Sequence, residues 1–199
     1  MAHRGSPSNG VALGARGDSM AGAQFNREKF EELVVYFATR LGPEAALGRV
    51  KLAKLLMHSD FNAFARHGQP ITGARYEKWE HGHLPSELLL VQRDLEASGA
   101  IMVEPVDYFG KPLKRITAKR EPDLSQFTED ELAIVEGAIR LYGHESATYL
   151  SQLAHLEVGW RLAKWKETIP YNTVFLGRGG VTEGDIRRGE ELASLYGWN

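Results

Sequence analysis

The sequence predicts a mainly α-helical, α+β fold: one helical domain over residues 26–199 with a small β-hairpin or three-strand element, behind a disordered tail of residues 1–25. Three observations predict it. Apolar residues recur at helical spacing through most of the chain. Aromatic-rich alternating stretches are confined to residues 75–80 and 101–117. Residues 1–25 hold Gly, Ser and Ala but few large apolar side chains, too few to offset the entropy of ordering them.

Phe30, Leu33, Val34, Phe37 and Leu41 form one stripe of an amphipathic helix. Gly42-Pro43 ends it, because proline disfavours helical geometry in its predecessor. A second helix is expected over residues 47–66. Val50, Ala53, Met57, Phe61 and Phe64 line one face, and Leu52, Leu55 and Leu56 widen it. Apolar round so much of its circumference, it should be the central helix, with His67-Gly68 as its stop. Residues 75–80 alternate as a single strand whose two rings, Tyr76 and Trp79, should differ in burial, with Tyr76 covering the central helix.

Pro85 opens a third helix, since the first helical turn has no use for its missing amide. This helix runs to about Ser98 with Leu88, Val91 and Leu95 inward, and Gly99 closes it. Residues 101–106 and 113–117 flank Tyr108-Phe109-Gly110-Lys111-Pro112 as a hairpin with a longer loop. Thr128 and Glu131 have the spacing of a capping box, opening a helix with Leu132, Val135, Ile139 and Tyr142 inward. A helix over 146–156 follows, then a short helical turn within 159–166. Thr182, with Asp185 three residues on, begins a last helix toward Tyr196.

The 199 residues are enough to bury roughly 70% of the unfolded surface, so no staple is needed. The chain has no cysteine, which excludes thiolate nucleophiles, Cys-bearing zinc sites and disulfides and fits a reducing compartment. A net charge of −2 gives no global drive toward nucleic acid or anionic membrane. No apolar run approaches the ~20 residues of a membrane span, and the start lacks an apolar signal region, so a cytoplasmic location is expected. Arg16-Gly17-Asp18 is read as a chance tripeptide.

His58, Asp60, His81, His83, His155 and Glu157 invite a metal reading. His81-x-His83 on an extended segment would put both rings on one face. Further ligands would have to come from His58 or Asp60, and no His-Glu-x-x-His helix is present, so no metal is expected. Gly177-Arg178-Gly179-Gly180 lacks P-loop spacing and reads as a loop. With no nucleophile elbow or serine triad, no cofactor, catalytic residue or enzymatic activity is expected.

Lys111, Lys114, Arg115, Lys119 and Arg120 make the hairpin basic. They suit an acidic protein partner, or the wing of a winged-helix-like DNA-binding transcriptional regulator. The helix that would read bases carries Glu87, Asp94 and Glu96 against a single Arg93, so nucleic acid is not the expected partner. Trp79 and Phe109 are the aromatic anchors of the expected protein-binding set, together with His83, Lys111, Lys114 and Arg115. Asp60 is either solvated or a buried acceptor for amides of residues 71–73.

One run of residues carries a family likeness: Lys51 to Leu56 and Asp60, then Gly68, Pro70, Ile71, Thr72, Gly73 and Tyr76, then Gly82, Pro85 and Leu88. Leu153-Ala154-His155, Trp160 and Ile169-Pro170-Tyr171 continue it more weakly. The pattern resembles the SocA-like antitoxin family, the Panacea domain. That resemblance implies a protein-binding antitoxin with a cognate protein toxin, encoded beside it in a bacterial or phage genome. It also allows an adaptor that hands its partner to an AAA+ protease. Two departures stand out. Gly82-His83-Leu84-Pro85 replaces the family's Gly-Pro-x-Pro, which should loosen the turn before the third helix. Ala154 replaces a serine, which removes a hydroxyl near His155.

Overall fold

Every residue from 51 to 61 is buried in one helix, and the rest of the chain is arranged around it. The computed structural model describes residues 23–42 and 45–176, with 187, 189–191 and 194. Expectations for residues 1–22, Pro43, the glycine-rich loop at 177–180 and most of the helix at 182–196 lie outside the described residues.

Helix α1 (Arg27–Leu41) starts where the Asn26 side chain accepts the Lys29 amide at 3.0 Å. Its expected stripe is buried throughout, and Gly42 ends it at φ +61°. The central α2 (Arg49–His67) ends on Gly68, whose left-handed geometry lets its amide reach Phe64 O at 2.8 Å. The polar side chains of α2 reach carbonyls: Lys51 Nζ donates to Ala45 O at 2.5 Å, and Ser59 Oγ to Leu55 O at 2.8 Å. Such pairing is what makes burial of polar groups tolerable.

The next segment corrects the sequence reading. It is a hairpin of β1 (Tyr76–Trp79) and β2 (Gly82–Pro85), paired antiparallel with Trp79 opposite Gly82 and Tyr76 opposite Pro85. Pro85 therefore ends a strand, and α3 (Leu88–Ala97) begins three residues later. The ladder bond beyond Pro85 runs from Ser86 N to Arg75 O at 2.9 Å, so proline sits where no amide is called on. Residues 166–169 return from far along the chain to the other edge of β1. Lys166 N donates to Lys78 O at 3.0 Å and Ile169 N to Tyr76 O at 2.7 Å, around a bridge between Glu77 and Thr168.

Strands β3 (Ile101–Tyr108) and β4 (Lys111–Ala118) form the second hairpin. Its loop is shorter than expected: Phe109 and Gly110 alone, at φ +51° and +76°. Two positive φ values make a type I′ turn, whose twist matches that of the strands it joins. The Thr128 capping box opens α4 (Glu129–Tyr142), and its Glu131 also pairs with Lys29 on α1 at 2.7 Å. Ile134, Val135, Ala138 and Ile139 are the buried face, so the stripe sits beside the expected one, with Leu132 and Tyr142 half-buried. Helices α5 (Ala147–Leu156) and α6 (Val158–Leu162) lead to the returning bridge segment and a 3-10 turn at Tyr171–Phe175. Among the described residues the sum is α+β, with four strands in two hairpins.

Candidate functional site

Asp60 joins α2 to the connector that follows it. Its fully buried carboxylate accepts Thr72 N at 2.7 Å, Thr72 Oγ1 at 2.5 Å and Tyr76 OH at 2.8 Å. Tyr171 comes within 3.5 Å of the same oxygen while its hydroxyl donates to Ala74 O at 2.6 Å. Burial pushes the Asp60 carboxyl up to about 6, against the opposing pull of hydrogen bonds from Thr72. Of the two sequence alternatives, the buried acceptor is the one found. Gly73, at φ +67°, has no room for a side chain: a Cβ there would lie 2.5 Å from Gln24 O. Gly68, Pro70, Thr72 and Tyr76 thus shape one connector around one carboxylate.

Below the first hairpin lies a second buried polar pair. Lys54 Nζ donates to His83 O at 3.0 Å, and burial lowers its ammonium to about 7. Gly82, at φ +104°, packs on it so closely that a Cβ would fall 2.3 Å from Lys54 Nζ. His83 was expected at the protein-binding surface, but it is only 2% exposed and sits 5.6 Å from the Phe61 ring. Anchoring its carbonyl to a buried lysine pulls the residue inward. Burial, then the Lys54 charge, holds the imidazole well below its ordinary value, so it is neutral. Among the described residues its Nδ1 has no hydrogen-bond partner, and the residue lines a cavity of about 70 Å3 with His58, Asn62 and Thr173. His81 is exposed in the turn, so the two rings do not share a face. Among the described residues, no three of His, Asp or Glu gather as metal ligands.

The turn of the first hairpin is gripped from outside. His155 Nε2 meets Glu80 O at 2.8 Å and its ring stacks on Trp160 at 4.2 Å. Trp160 Nε1 donates to Trp79 O at 3.0 Å, and Lys78 Nζ lies 4.3 Å from the Trp160 ring. Two consecutive carbonyls are thereby held by α5 and α6, which fixes where Trp79 stands.

At the surface, Phe109 is 89% exposed at the tip of the second hairpin, with the Tyr108 ring 4.8 Å away. Lys111 and Lys114 are exposed beside it, and no described carboxylate pairs with either. Arg115 differs: it is half-buried and bound to Glu104 at 2.5 Å, so part of its charge is spent within the hairpin. Arg120 is likewise held by Glu32 at 2.5 Å. Trp79 is half-buried, with Nε1 on Glu77 at 3.2 Å, the Trp165 ring at 5.5 Å and Lys166 Nζ at 5.0 Å from its ring. Sequence reasoning passed over Trp165 and Lys166. Their one signal was a tryptophan between two lysines at the end of the stretch read as a short helical turn, which the structure ends at Leu162.

The family model described as Antitoxin SocA-like, Panacea domain matches residues 52–161, more than half of the chain. The chain belongs to this family. The matched SocA-like region holds most of α2, both hairpins, and the His155 and Trp160 clamp, while Tyr171 and the bridging segment at 166–169 lie past its end. No match is found among the curated proteins or among the solved structures. Membership supports an antitoxin role and with it a toxin as partner. Among the described residues, no helix is long and apolar enough to cross a membrane.

Proposed function

We propose that this SocA-like chain neutralises a cognate protein toxin in the cytoplasm by binding it directly, and turns over no substrate. The observation that carries the reading is the tip of the β3–β4 hairpin. A phenylalanine is held 89% exposed in a left-handed conformation that asparagine or glycine adopts far more readily. An exposed aromatic kept at a conformational cost, beside Lys111 and Lys114, which pair with no described carboxylate, has the composition of a binding hot spot with acidic complementarity. Two buried polar nodes and the clamp on the first hairpin make the scaffold rigid, which lowers the entropy lost on binding.

The test begins with the gene beside this one. It should be lethal when expressed alone and harmless when this chain is co-expressed, and Phe109→Asn with Lys111→Glu should abolish the rescue while leaving the chain folded. Survival of cells carrying the neighbour alone would sink the reading. Occlusion requires one antitoxin per toxin, so substoichiometric rescue that depends on an AAA+ protease would replace it with delivery. The outer side of α3 presents Leu89, Leu90 and Glu96, and its one exposed cation, Arg93, lies 3.5 Å from Asp94, a surface poorly suited to a phosphate backbone. A promoter fragment should accordingly show no shift at low salt.

A further inference from the structure

The stretch from the end of α6 to the returning bridge segment carries a surface that the antitoxin reading does not use. Leu162 is 57% exposed and Trp165 56% exposed, three residues apart. Trp165 leans on Trp79 with ring centroids 5.5 Å apart and planes tilted by 59°. Lys166 takes a left-handed φ of +62°, and its ammonium lies 5.0 Å from the Trp79 ring. Arg161, Lys164 and Lys166 are all exposed, and no described carboxylate pairs with them. Of the acids nearby, Glu77 accepts from Trp79 Nε1 and pairs with Arg75, and Glu167 accepts the Lys164 amide at 2.5 Å, while Glu80 stands exposed in the turn. Against Glu80, three exposed cations are available to a partner.

We propose that this Trp79–Trp165 ridge is a docking surface for an acidic polypeptide segment. Carboxylates of the segment pair with Arg161, Lys164 and Lys166, and an apolar side chain packs on Trp165 and Leu162. Charge complementarity chooses the occupant. A single-stranded nucleic acid would want free ring faces to stack on. Here Lys166 covers Trp79, and Trp165 is turned against it, so the ridge offers edges and cations instead. The surface lies on the other hairpin from Phe109 and stands whether or not the toxin docks at that tip.

The test uses the full chain and a fluorescently labelled synthetic peptide alternating Glu with Leu, read by anisotropy. Saturable binding that weakens with added salt is expected. Lys164→Glu with Lys166→Glu should weaken it at least tenfold (order of magnitude, from the coupling of close charge pairs), as should Trp165→Ala, while Phe109→Asn should leave it unchanged. All these positions are exposed, so the variants should fold, as circular dichroism can confirm. Absence of saturable binding, equal binding of a Lys/Leu peptide, or tighter binding of a single-stranded oligonucleotide overturns the proposal. Retention of toxin rescue by Phe109→Asn with Lys111→Glu would count against the hairpin-tip reading alone.

Discussion

The carboxylate of Asp60 takes both hydrogen bonds that Thr72 has to offer, the amide at 2.7 Å and the hydroxyl at 2.5 Å. With the Tyr76 hydroxyl at 2.8 Å, three donors depend on one buried side chain. Asp60→Ala should cost about 3 kcal/mol or more, because those donors are left dry and unpaired. Thr72→Val, which keeps the amide bond, should cost less. Urea unfolding of both variants measures this, and equal losses would show that the carboxylate is not the node.

Two buried groups should shape stability against pH in opposite directions. Asp60 titrates at about 6 in the fold against an ordinary 3.8. Between those values the folded chain binds more protons than the unfolded one, so this contribution falls as pH rises from about 4 to 6. Lys54 titrates at about 7 against 10.5, so in that window the unfolded chain holds more protons and stability climbs with pH. Unfolding free energies of Asp60→Asn and Lys54→Met, taken relative to the native chain across pH, should reveal the two slopes separately. A flat difference for either variant rejects its assignment.

Glycine at 82 and glycine at 110 should respond differently to alanine. Both have positive φ, but a Cβ at 82 would meet Lys54 Nζ at 2.3 Å and Ala154 Cβ at 2.6 Å, whereas nothing lies within 4 Å at 110. Gly110→Ala should cost about 1–2 kcal/mol from backbone geometry alone. Gly82→Ala should add about 1–3 kcal/mol of overpacking. Thermal melts of the pair would rank them, and the reverse order would contradict the packing described beneath β2.

Phe109→Asn should raise stability and lower affinity together. Asparagine followed by glycine is the favoured pair for a type I′ turn, so relief of the left-handed phenylalanine should gain about 1 kcal/mol. The same change removes the most exposed ring of the described chain. A melting temperature that falls, or toxin binding that is unaltered, would each oppose the role given to this side chain.

Much of the scaffold was legible because its signals are local. The Phe30 stripe, the Gly68 stop and the Thr128 capping box each state their geometry within a few residues, and each formed as read. Pro85 misled because proline suits two places, a first helical turn and a ladder position with no bond to make, and only the partner strand decides between them. The burial of His83 follows from Lys54, which lies 29 residues earlier and carries no local sign of where its ammonium points. The Trp79–Trp165 contact spans a still longer stretch of chain, so neither residue announces the other.

The returning bridge segment has a consequence for synthesis. Until Ile169 has left the ribosome, β1 shows an open edge and Asp60 lacks its most distant neighbour, Tyr171. Unpaired strand edges in unfinished chains invite misassociation. A nascent molecule therefore stays incompletely locked until residues 166–171 have emerged, and a truncated product ending before them should be prone to aggregation or proteolysis.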